Sequence, residues 1–350
     1  MSAPAASIII VAYNSAAHLG PCLRSLVATC CDTCEIIVVE NASPDTAATA
    51  ALVAQFPQVR LITSLDNVGF AAGCNLGAQH ATAPYLVFLN PDTVVEAGWL
   101  PALLAPLKRD PTIGMTTGQL LLLHQPDTIN ACGLVSHITG LTLCRGMGLP
   151  RGSFPSEQEV NAVSGAVCAI RRELFGALGG FDATYFTYVE DTDLSWRVRL
   201  AGYRCVYLPG AIVYHDYALR FGPRKTFYQE RNRAMLLLKH LRAPTFVVYW
   251  PVLLLGELIS WGFVLLREPH RCANKLRAYA WIVQHWRQVQ HARRATQAMR
   301  RISDRVLLAA LSPHLDMLQT GGGPLMRLAQ DIIAYGSTAL QRLTLAIVRW

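Results

Sequence analysis

Three groups of polar residues have the types and spacing that chemistry on a charged substrate requires. Asn90-Pro91-Asp92 follows an apolar run and supplies one carboxylate, a ligand that hard divalent cations prefer. Glu190-Asp191-Thr192-Asp193 opens a segment with helical spacing, where the helix dipole favours ionised carboxylates. An ionised Asp191 can accept a proton from an attacking hydroxyl, and His215 can bind a cation through its neutral imidazole. The combination indicates metal-assisted transfer to a hydroxyl, with the cation offsetting the charge on a departing diphosphate.

Each of these groups also has an ordinary structural explanation. Asn-Pro-Asp is a common turn sequence, and Asp191 could act as a helix cap. Asp193 and Arg197 have the i,i+4 spacing of an ion pair on a helix. We expect Asp193 and Arg197 to be structural, and Asp191 to be functional because the other motifs accompany it.

The segment Asn67-Val-Gly-Phe-Ala-Ala-Gly-Cys-Asn75 places two glycines at the start of a predicted helix. Glycine permits close approach of the backbone to a ligand, and a helix N-terminus favours anions. The segment lacks the G-x-G-x-x-G spacing of a dinucleotide site and follows the third predicted strand rather than the first. An anion-binding turn and a plain helix cap both remain open on this evidence alone.

Alternating strand and helix patterns in the first ninety residues predict the scaffold that positions these groups. Apolar runs at 7–13, 35–40, 58–63 and 85–89 predict strands, and the segments between them predict helices. This βαβ array indicates a Rossmann-like α/β fold with a mostly parallel central sheet flanked by helices. Ligands of such sheets bind beyond the carboxyl ends of the strands, so Tyr13-Asn14, Glu40-Asn41 and Asn90-Asp92 should converge on one site.

The pattern after residue 116 is less regular. Turns at several glycines make 116–156 a region of strands and a loop, followed by a strand over 162–170 and a short helix over 171–178. Gly179-Gly180 should end that helix, and a further helix is predicted over 190–200. Two short strands, at 204–208 and 211–214, then lead to His215.

Composition and charge divide the chain into two halves. Residues 1–215 carry 11 Lys and Arg against 16 Asp and Glu, which gives −5, whereas residues 216–350 carry 20 against seven, which gives +13. Hydrophobic residues make up 52% and the mean hydropathy is +0.28, which excludes a disordered chain and indicates contact with lipid. A basic, apolar half suits an anionic membrane surface or nucleic acid, and no nucleic-acid-binding module is recognisable.

The apolar window 243–266 is long enough to cross a bilayer, but Pro251 and Glu257 interrupt it. A surface-lying or re-entrant pair of helices, a membrane span and an ordinary buried helix therefore all remain possible. The stretch 267–305 mixes arginines with Tyr279, Trp281 and Trp286, a combination that fits a lipid headgroup layer or a solvated cationic helix.

Taken together, the motifs resemble the family 2 glycosyltransferases of the GT-A fold, especially the bacterial rhamnosyltransferase branch. The resemblance covers about residues 7–240. The segments that carry it are Val11-Ala-Tyr-Asn14, Val39-Glu-Asn-Ala-Ser43, Asn67 to Asn75, Leu89-Asn-Pro-Asp92, Gly179-Gly-Phe-Asp182, Tyr188-Val-Glu-Asp-Thr-Asp-Leu194 with Arg197, and Val213-Tyr-His215. Two positions depart from the family pattern: Glu40 stands where Asp is usual, and Asn90 replaces the first of two acidic residues.

The resemblance implies a role for each matching position. Asp191 would be the catalytic base, Asp92 would bind Mg²⁺ or Mn²⁺, and His215 would contact the metal or the diphosphate. Glu40 would contact the nucleotide base. The nucleotide-sugar site would be formed by Ala12, Tyr13, Asn14, Glu40, Asn41, Asn67, Gly69, Phe70, Gly73, Asn75, Asn90 and Pro91. Acceptor binding and lining of the site would involve Gly165, Phe181, Glu190 and Trp196.

The implied protein is an inverting glycosyltransferase with a GT-A domain at 1–240 and a helical, membrane-associated region at 241–350. It would move rhamnose or another hexose from a dTDP- or UDP-linked donor to a hydroxyl of a glycan or a polyprenyl-diphosphate-linked acceptor, in cell-surface polysaccharide assembly. We expect it in the cytoplasm, at the inner face of the membrane, without a nucleic-acid partner. A catalytically inactive, nucleotide-sugar-binding scaffold is the alternative. A nucleotidyltransferase is disfavoured, because residues 14–18 supply no Lys or Arg to grip a diphosphate.

Overall fold

The computed structural model describes residues 3–30, 33–217, 224–316 and 324–350, the side chains of 324–327 excepted. The chain forms two compact units. The first comprises Met1–Leu134, Cys144–Val198 and Tyr203–Ala218, and the second comprises Val135–Leu143, Arg199–Gly202 and Leu219–Trp350. The 225–240 helix, which precedes the expected domain boundary at 240/241, thus belongs to the second unit. The boundary itself stays a prediction.

The first unit is built on a mixed sheet. Its order within the described residues is β10-β12-β6-β11-β4-β1-β2-β3, with β5 beside β12 and β7 beside β6. The strands are β1 (Ala6–Ala12), β2 (Cys34–Glu40), β3 (Val59–Thr63), β4 (Tyr85–Leu89), β5 (Thr93–Val95), β6 (Ile113–Leu122), β7 (Gln125–Ala131), β10 (Gln158–Glu159), β11 (Val167–Arg171) and β12 (Arg204–His215). A separate two-stranded sheet pairs β8 (Leu134–Ser136) with β9 (Thr142–Cys144).

The four predicted N-terminal strands are present and mutually parallel. β1 pairs with β2 and with β4, and β2 pairs with β3. β1 is buried along its whole length, as a continuous apolar run predicts for a strand covered on both faces. The parallel arrangement does not extend across the sheet, because β11 runs antiparallel to both β4 and β6.

Two later strand predictions need correction. The strand expected over 162–170 begins only at Val167. The two short strands expected at 204–208 and 211–214 are a single strand, β12, whose register against β6 shifts between Leu208 and Ile212. The shift absorbs the intervening Pro-Gly, so pairing resumes without a break in the chain.

The helices of the first unit cover the sheet and deliver side chains to its edge. Asp45 caps α2 as expected for an Asx residue at this position, accepting a hydrogen bond from Ala48 N at 3.0 Å. Gly179 and Gly180 adopt φ of 78° and 70°, the left-handed conformation that ends α5. The helices are α1 (Ala16–Cys30), α2 (Thr46–Val53), α3 (Gly69–Gln79), α4 (Trp99–Arg109), α5 (Arg172–Ala177) and α6 (Glu190–Leu200).

The second unit is helical in its described parts, except that residues 135–143 contribute to the two-stranded β8–β9 sheet. It contains α7 (Lys225–His240), α8 (Ala243–Arg267), α9 (Cys272–Gln284), α10 (Trp286–Ala298), α11 (Asp304–Ala309) and α12 (Pro324–Ile347). α8 is one continuous 25-residue helix through Pro251, so a pair of helices in this window is not formed. By length and composition alone, α8 is a helix that could cross a membrane.

A network of buried charges explains why a carboxylate interrupts the apolar sequence of α8. Glu257 accepts a hydrogen bond from Arg233 of α7 at 2.5 Å and another from Tyr279 of α9. Glu230 of α7 bonds Lys275 Nζ at 2.5 Å and Arg233 at 3.1 Å. Two carboxylates and two cations thus neutralise one another inside the helical unit, a condition that buried charges require.

We predict that Glu230→Gln destabilises the protein by about 3 to 5 kcal/mol, because it leaves Arg233 and Lys275 without their buried counter-charge. Burial raises the pKa of Glu230, but the charges of Arg233 and Lys275 lower it more strongly, to about 2. A depressed pKa in the folded state means that this contribution is complete above the ordinary pKa of 4.5 and is lost as the pH falls toward 2. Urea unfolding at pH 7 and at pH 3 measures both effects.

Glu157→Gln is the matched control, since Glu157 pairs with Arg109 at a partly exposed position of the first unit. Exposed pairs contribute about 0 to 1 kcal/mol. Equal denaturation midpoints for the two variants at pH 7 would contradict the importance of the buried network.

Candidate active site

The carboxyl ends of β1 and β2 meet at one edge of the sheet. The backbone N of Asn41 donates to Ala12 O at 2.8 Å, and the backbone N of Asn14 donates to Ser43 Oγ at 2.9 Å. Asn14 and Ala42 adopt positive φ of 50° and 54°, which turns the chain sharply as it leaves each strand. Tyr13 is about half exposed beside them. The predicted convergence of these strand ends is therefore present.

The carboxylate of Glu40 lies at this edge of the sheet and has one oxygen to which a ligand could donate a hydrogen bond. The residue is 1% exposed, and its Oε1 accepts a hydrogen bond from Ser43 N at 2.6 Å. Its Oε2 is buried without a hydrogen-bond partner among the described residues. A buried acceptor without a donor carries a substantial free-energy cost, and a donor group on a bound molecule would relieve it.

Asn41 fixes the glycine-containing turn that begins α3. Its side-chain nitrogen donates to Asn67 Oδ1 at 3.1 Å and its Oδ1 accepts from Val68 N at 3.0 Å. Asn67 Oδ1 also accepts from Gly69 N at 3.0 Å. Gly69 has φ of 82°, and a Cβ there would lie 2.5 Å from the carbonyl oxygen of Phe186, so only glycine fits. The predicted residues Asn41, Asn67 and Gly69 thus form one connected turn.

The chain is strained immediately before α6. Phe186, Tyr188 and Val189 all have φ between 63° and 72°, a left-handed conformation that costs about 1 to 3 kcal/mol per residue outside glycine. For the β-branched Val189 this conformation is a true outlier. Such strain concentrates where a fold must hold functional groups in a set position, and the groups that follow are Glu190 and Asp191.

Asp191 is partly exposed at the first turn of α6 and is held by three donors. Its Oδ2 accepts from Gly165 N at 2.8 Å, and its Oδ1 accepts from Thr192 N at 2.6 Å and from Thr192 Oγ1 at 3.3 Å. A Cβ on Gly165 would lie 3.2 Å from Oδ2, so glycine lets the loop approach the carboxylate closely. The orientation of the carboxylate is therefore fixed by the fold.

Glu190 and Asp191 form a coupled pair of carboxyl groups. Burial raises the pKa of Asp191, and the hydrogen bonds from Gly165 and Thr192 counteract part of that rise. Burial, together with the negative charge of Asp191, raises the pKa of Glu190 well above its ordinary value. Glu190 is 6% exposed and its Oε2 has no hydrogen-bond partner in the described part of the chain. Of the two, Glu190 therefore holds a proton more strongly, and Asp191 is the carboxyl group that loses its proton first.

Asp191 and Asp92 lie at the same edge of the sheet. Gly165, which binds the Asp191 carboxylate, directly precedes Ala166, whose carbonyl oxygen accepts from Asn90 N at 3.0 Å. Asn90 and Pro91 then lead to Asp92 as the chain leaves β4. Two hydrogen bonds and a few residues of backbone thus connect the two carboxylates, which are about a hundred positions apart in sequence.

Asp92 and His215 are of the types that bind a divalent cation, and Asn130 orients the imidazole of His215. His215 Nδ1 lies 2.9 Å from Asn130 Oδ1, within hydrogen-bond distance, which fixes the ring. Nε2 lies 3.2 Å from Asp92 Oδ1, which is buried without a well-aligned hydrogen bond from the described residues. Burial raises the pKa of Asp92, but His215 lowers it more strongly, so the carboxylate stays ionised. A carboxylate oxygen and an imidazole nitrogen are both donor atoms for a divalent cation, and the substrate would supply further ligands.

Sequence reasoning missed the residues that support this pair. Asn130 lies on β7, far from His215 in sequence, and no local pattern marks it. Asp216 N donates to Asp92 O at 2.9 Å, and the Asp216 carboxylate lies 3.2 Å from a ring nitrogen of both His18 and His124. Within the described residues, no group of three His, Cys, Asp or Glu side chains has metal-binding geometry.

Several predicted site residues have clear packing roles. Asn75 uses both ends of its amide on the backbone of Phe181, at 2.8 and 2.9 Å, and a Cβ on Gly73 would lie 2.8 Å from Val11. Phe181 is 2% exposed and contacts Phe70 edge-on, with ring centroids 6.2 Å apart, and Trp196 is fully buried. Their contact with substrate stays a prediction. The i,i+4 pair is confirmed as structural, because Asp193 accepts from Arg197 Nε at 2.8 Å and from Tyr185 Oη at 2.9 Å.

Comparison with solved structures defines the class of fold. TarS of S. aureus in complex with UDP-GlcNAc aligns with a TM-score of 0.55 and 16% identity, covering 96% of this chain and 90% of that chain. GalNAc-T7 with UDP, GalNAc and Mn²⁺ aligns with a TM-score of 0.55 and 18% identity, covering 67% of this chain and 48% of that chain. The fold of the first unit and the solved structures similar to this chain are those of the GT-A class, as the sequence predicts.

Sequence comparison gives the family. Residues 7–119 match the model of glycosyl transferase family 2, and residues 85–300 match that of glycosyl transferase family group 2. A Mycobacterium tuberculosis protein, N-acetylglucosaminyl-diphospho-decaprenol L-rhamnosyltransferase, is 32% identical over 236 residues, which are 60% of this chain and 76% of that one. The chain therefore belongs to the family 2 glycosyltransferases and is similar to their bacterial rhamnosyltransferases.

Proposed function

We propose that this glycosyltransferase moves rhamnose or another hexose from a dTDP- or UDP-linked donor to a hydroxyl of a polyprenyl-diphosphate-linked or glycan acceptor. The reaction would take place in cell-surface polysaccharide assembly, at the cytoplasmic side of the membrane. The observation that carries the proposal is the oriented carboxylate of Asp191, held by Gly165 at the same sheet edge as Asp92. The relative from Mycobacterium tuberculosis, by its name, acts on a decaprenol-linked acceptor with rhamnose, which supports this choice of substrate classes.

The proposed reaction is a single displacement with inversion at the anomeric carbon. Asp191, fixed in orientation by Gly165, accepts in its deprotonated form the proton of the acceptor hydroxyl as the hydroxyl oxygen attacks. The bond between the anomeric carbon and the diphosphate oxygen breaks on the opposite side, and the nucleoside diphosphate departs. Glu190, which retains its proton, leaves Asp191 as the charged group of the pair.

The donor would lie along the turn formed by β1, β2 and the start of α3. Glu40 Oε2 offers an unused acceptor for a base or ribose donor group, and the Asn41–Gly69 turn fixes the backbone at the start of α3 beside it. Asp92 and His215 would hold Mg²⁺ or Mn²⁺, which supplies charge stabilisation for the leaving diphosphate. The Mn²⁺ in the GalNAc-T7 structure supports a divalent cation.

Thermal unfolding in the presence of candidate donors tests this proposal. We expect a dTDP- or UDP-linked sugar to raise the melting temperature only when Mn²⁺ or Mg²⁺ is present, since a ligand at about 100 times its Kd adds about 2.7 kcal/mol of stability. GDP- and CMP-linked sugars serve as matched controls. Stabilisation without turnover to nucleoside diphosphate, with any acceptor, would instead favour the inactive scaffold. Equal responses to every nucleotide would contradict a defined donor site.

A further inference from the structure

Five of the exposed large apolar side chains of α8 lie along one face of the helix, and a sixth, Leu266, lies off that face near the end of the helix. The spacing of the five, which is three, four or seven residues, is that of a single helical stripe. The exposed fractions of the five range from 50% to 76%, in a helix whose opposite face is buried. We call them the α8 stripe: Val247, Trp250, Leu254, Leu258 and Leu265.

α12 carries a second exposed stripe of the same kind. Its members are between 47% and 82% exposed, and their spacing again follows one helix face. Single exposed apolar side chains are ordinary on a protein surface, but a continuous row of them marks an interaction surface. We call them the α12 stripe: Leu328, Ile332, Tyr335, Leu343 and Ile347.

The two helices that carry the stripes rest on the same segment of the helical unit. α8 rests on the segment 137–139 through a hydrogen bond from Tyr249 Oη to Ile138 O and close packing of Gly256 on Thr139. α12 rests on the same segment, since Ser337 Oγ lies 3.1 Å from His137 Nε2. The helices also contact each other, and Trp350 beyond the end of α12 donates to Thr245 of α8 at 2.8 Å. Each helix thus turns its buried face toward 137–139 and its stripe away from it.

We propose that the α8 and α12 stripes form one docking face that seats the protein on an anionic lipid bilayer, with α8 lying in the plane of the membrane surface instead of crossing it. The face itself is argued from the helical unit alone. Its use, to bring the active site to a lipid-linked acceptor, rests on the proposed function.

The buried side of α8 excludes a simple membrane crossing. Polar contacts accompany the helix from end to end: Thr245 with Asp304, Glu257 with Arg233, and Ser260 with Lys275. If α8 spanned the hydrocarbon, α7 and α9 would carry buried charges such as Glu230 and Lys239 into it as well, at several kcal/mol for each charge in the bilayer centre. One side of α8 is thus covered by polar contacts of its own unit and the other is apolar and exposed, an asymmetry that suits a helix lying in the membrane interface.

Charge identifies the occupant as an anionic bilayer. Residues 216–350 carry a net +13, and many of the exposed arginines of this unit are on or next to its helices. Each cation near an anionic membrane surface contributes about 1 kcal/mol. Trp250 and Tyr335 within the stripes are of the types that settle at the headgroup boundary. The exposed arginines include Arg267, Arg277, Arg287, Arg294, Arg301 and Arg349.

Vesicle flotation with the full chain tests the docking face. We expect binding to vesicles of phosphatidylglycerol and phosphatidylethanolamine, and at least tenfold weaker binding to phosphatidylcholine alone. Leu254→Asp and Ile332→Asp should each weaken binding to anionic vesicles by about tenfold or more, because each removes one apolar anchor and adds a negative charge. Leu149→Asp, at a 45% exposed leucine of the first unit, is the matched control and should bind as the unaltered chain does.

Protease access separates an in-plane helix from a span. Trypsin should cleave within α9–α10, at exposed sites such as Arg277 and Arg287, in inverted membrane vesicles but not in intact spheroplasts. Cleavage in spheroplasts would overturn the in-plane placement. Unchanged flotation of both stripe variants, or a lipid-free dimer that the same substitutions dissociate, would overturn the lipid assignment. Donor hydrolysis in detergent reports separately on the proposed function, because it does not require the docking face.

Discussion

Asp191→Asn is expected to lower the rate of sugar transfer by about 10² to 10⁴-fold while leaving donor binding intact. The amide keeps the shape of the side chain and can still accept from Gly165 N, but it cannot take the proton of the acceptor hydroxyl. We expect kcat to fall with little change in the Kd of the nucleoside diphosphate. Release of nucleoside diphosphate with saturating acceptor measures the first, and isothermal titration measures the second.

Two neighbouring carboxyl groups provide controls for this prediction. Glu190→Gln should lower kcat far less than Asp191→Asn does, because Glu190 already retains its proton and glutamine resembles the protonated form. Asp193→Asn should instead lower the stability of the fold, since Asp193 is fully buried and binds Arg197 and Tyr185. A larger loss of kcat in Glu190→Gln than in Asp191→Asn would contradict the assignment of Asp191 as the base and would point to Glu190 instead.

The pH dependence of kcat follows from the same pair. Asp191 works as a base only when it is deprotonated, so kcat rises with pH through its pKa. Burial raises that pKa above the ordinary value of 3.8, so the acidic limb of the profile should lie at higher pH than for an exposed aspartate. An acidic limb at or below pH 3.8 would contradict the buried setting of the carboxylate.

The sequence was most informative where local pattern and tertiary structure agree. Strands β1, β2 and β4 are fully or largely buried apolar runs, so their period and length predict both their existence and their parallel order. Because parallel strands align their carboxyl ends, Asn14, Glu40 and Asp92 could be placed together without coordinates. The i,i+4 pair of Asp193 and Arg197 is equally local, and it is present as expected.

What could not be predicted depends on contacts between distant segments. β12 reads as two strands because its Pro-Gly interrupts the pattern, and only the pairing partner β6 shows that the strand continues. Asn130 could not be recognised because its role exists only through His215, 85 positions away. In the sequence, a charge at Glu257 is costly because it interrupts an apolar window. The partners that stabilise it, Arg233 and Lys275, lie on other helices.

Removal of the Asp92 carboxylate, which we propose binds the metal, is the second large effect we expect. Asp92→Asn should lower kcat/KM by about 10²-fold or more, because a neutral amide holds a divalent cation weakly and the departing diphosphate then loses charge stabilisation worth several kcal/mol. The variant should also lose the part of its nucleotide-induced thermal stabilisation that requires Mn²⁺. Asn130→Ala should have a smaller effect. It should lower the metal affinity by about 10- to 100-fold, because it frees the ring of His215 to rotate without removing a ligand.

Asp216→Asn separates a metal effect from a general change of charge at this edge. Asp216 lies next to His215 and binds His18 and His124, so its removal alters the local charge equally without touching the Asp92–His215 pair. If the cation is held by that pair, Asp216→Asn keeps its response to Mn²⁺ and Asp92→Asn does not. If both variants keep the response, the divalent ion is held by the substrate alone, and Asp92 serves only to fix the imidazole of His215. Chelation by EDTA would abolish transfer in that case too, so it does not separate the two possibilities. The comparison of the two variants shows whether Asp92 and His215 bind the metal.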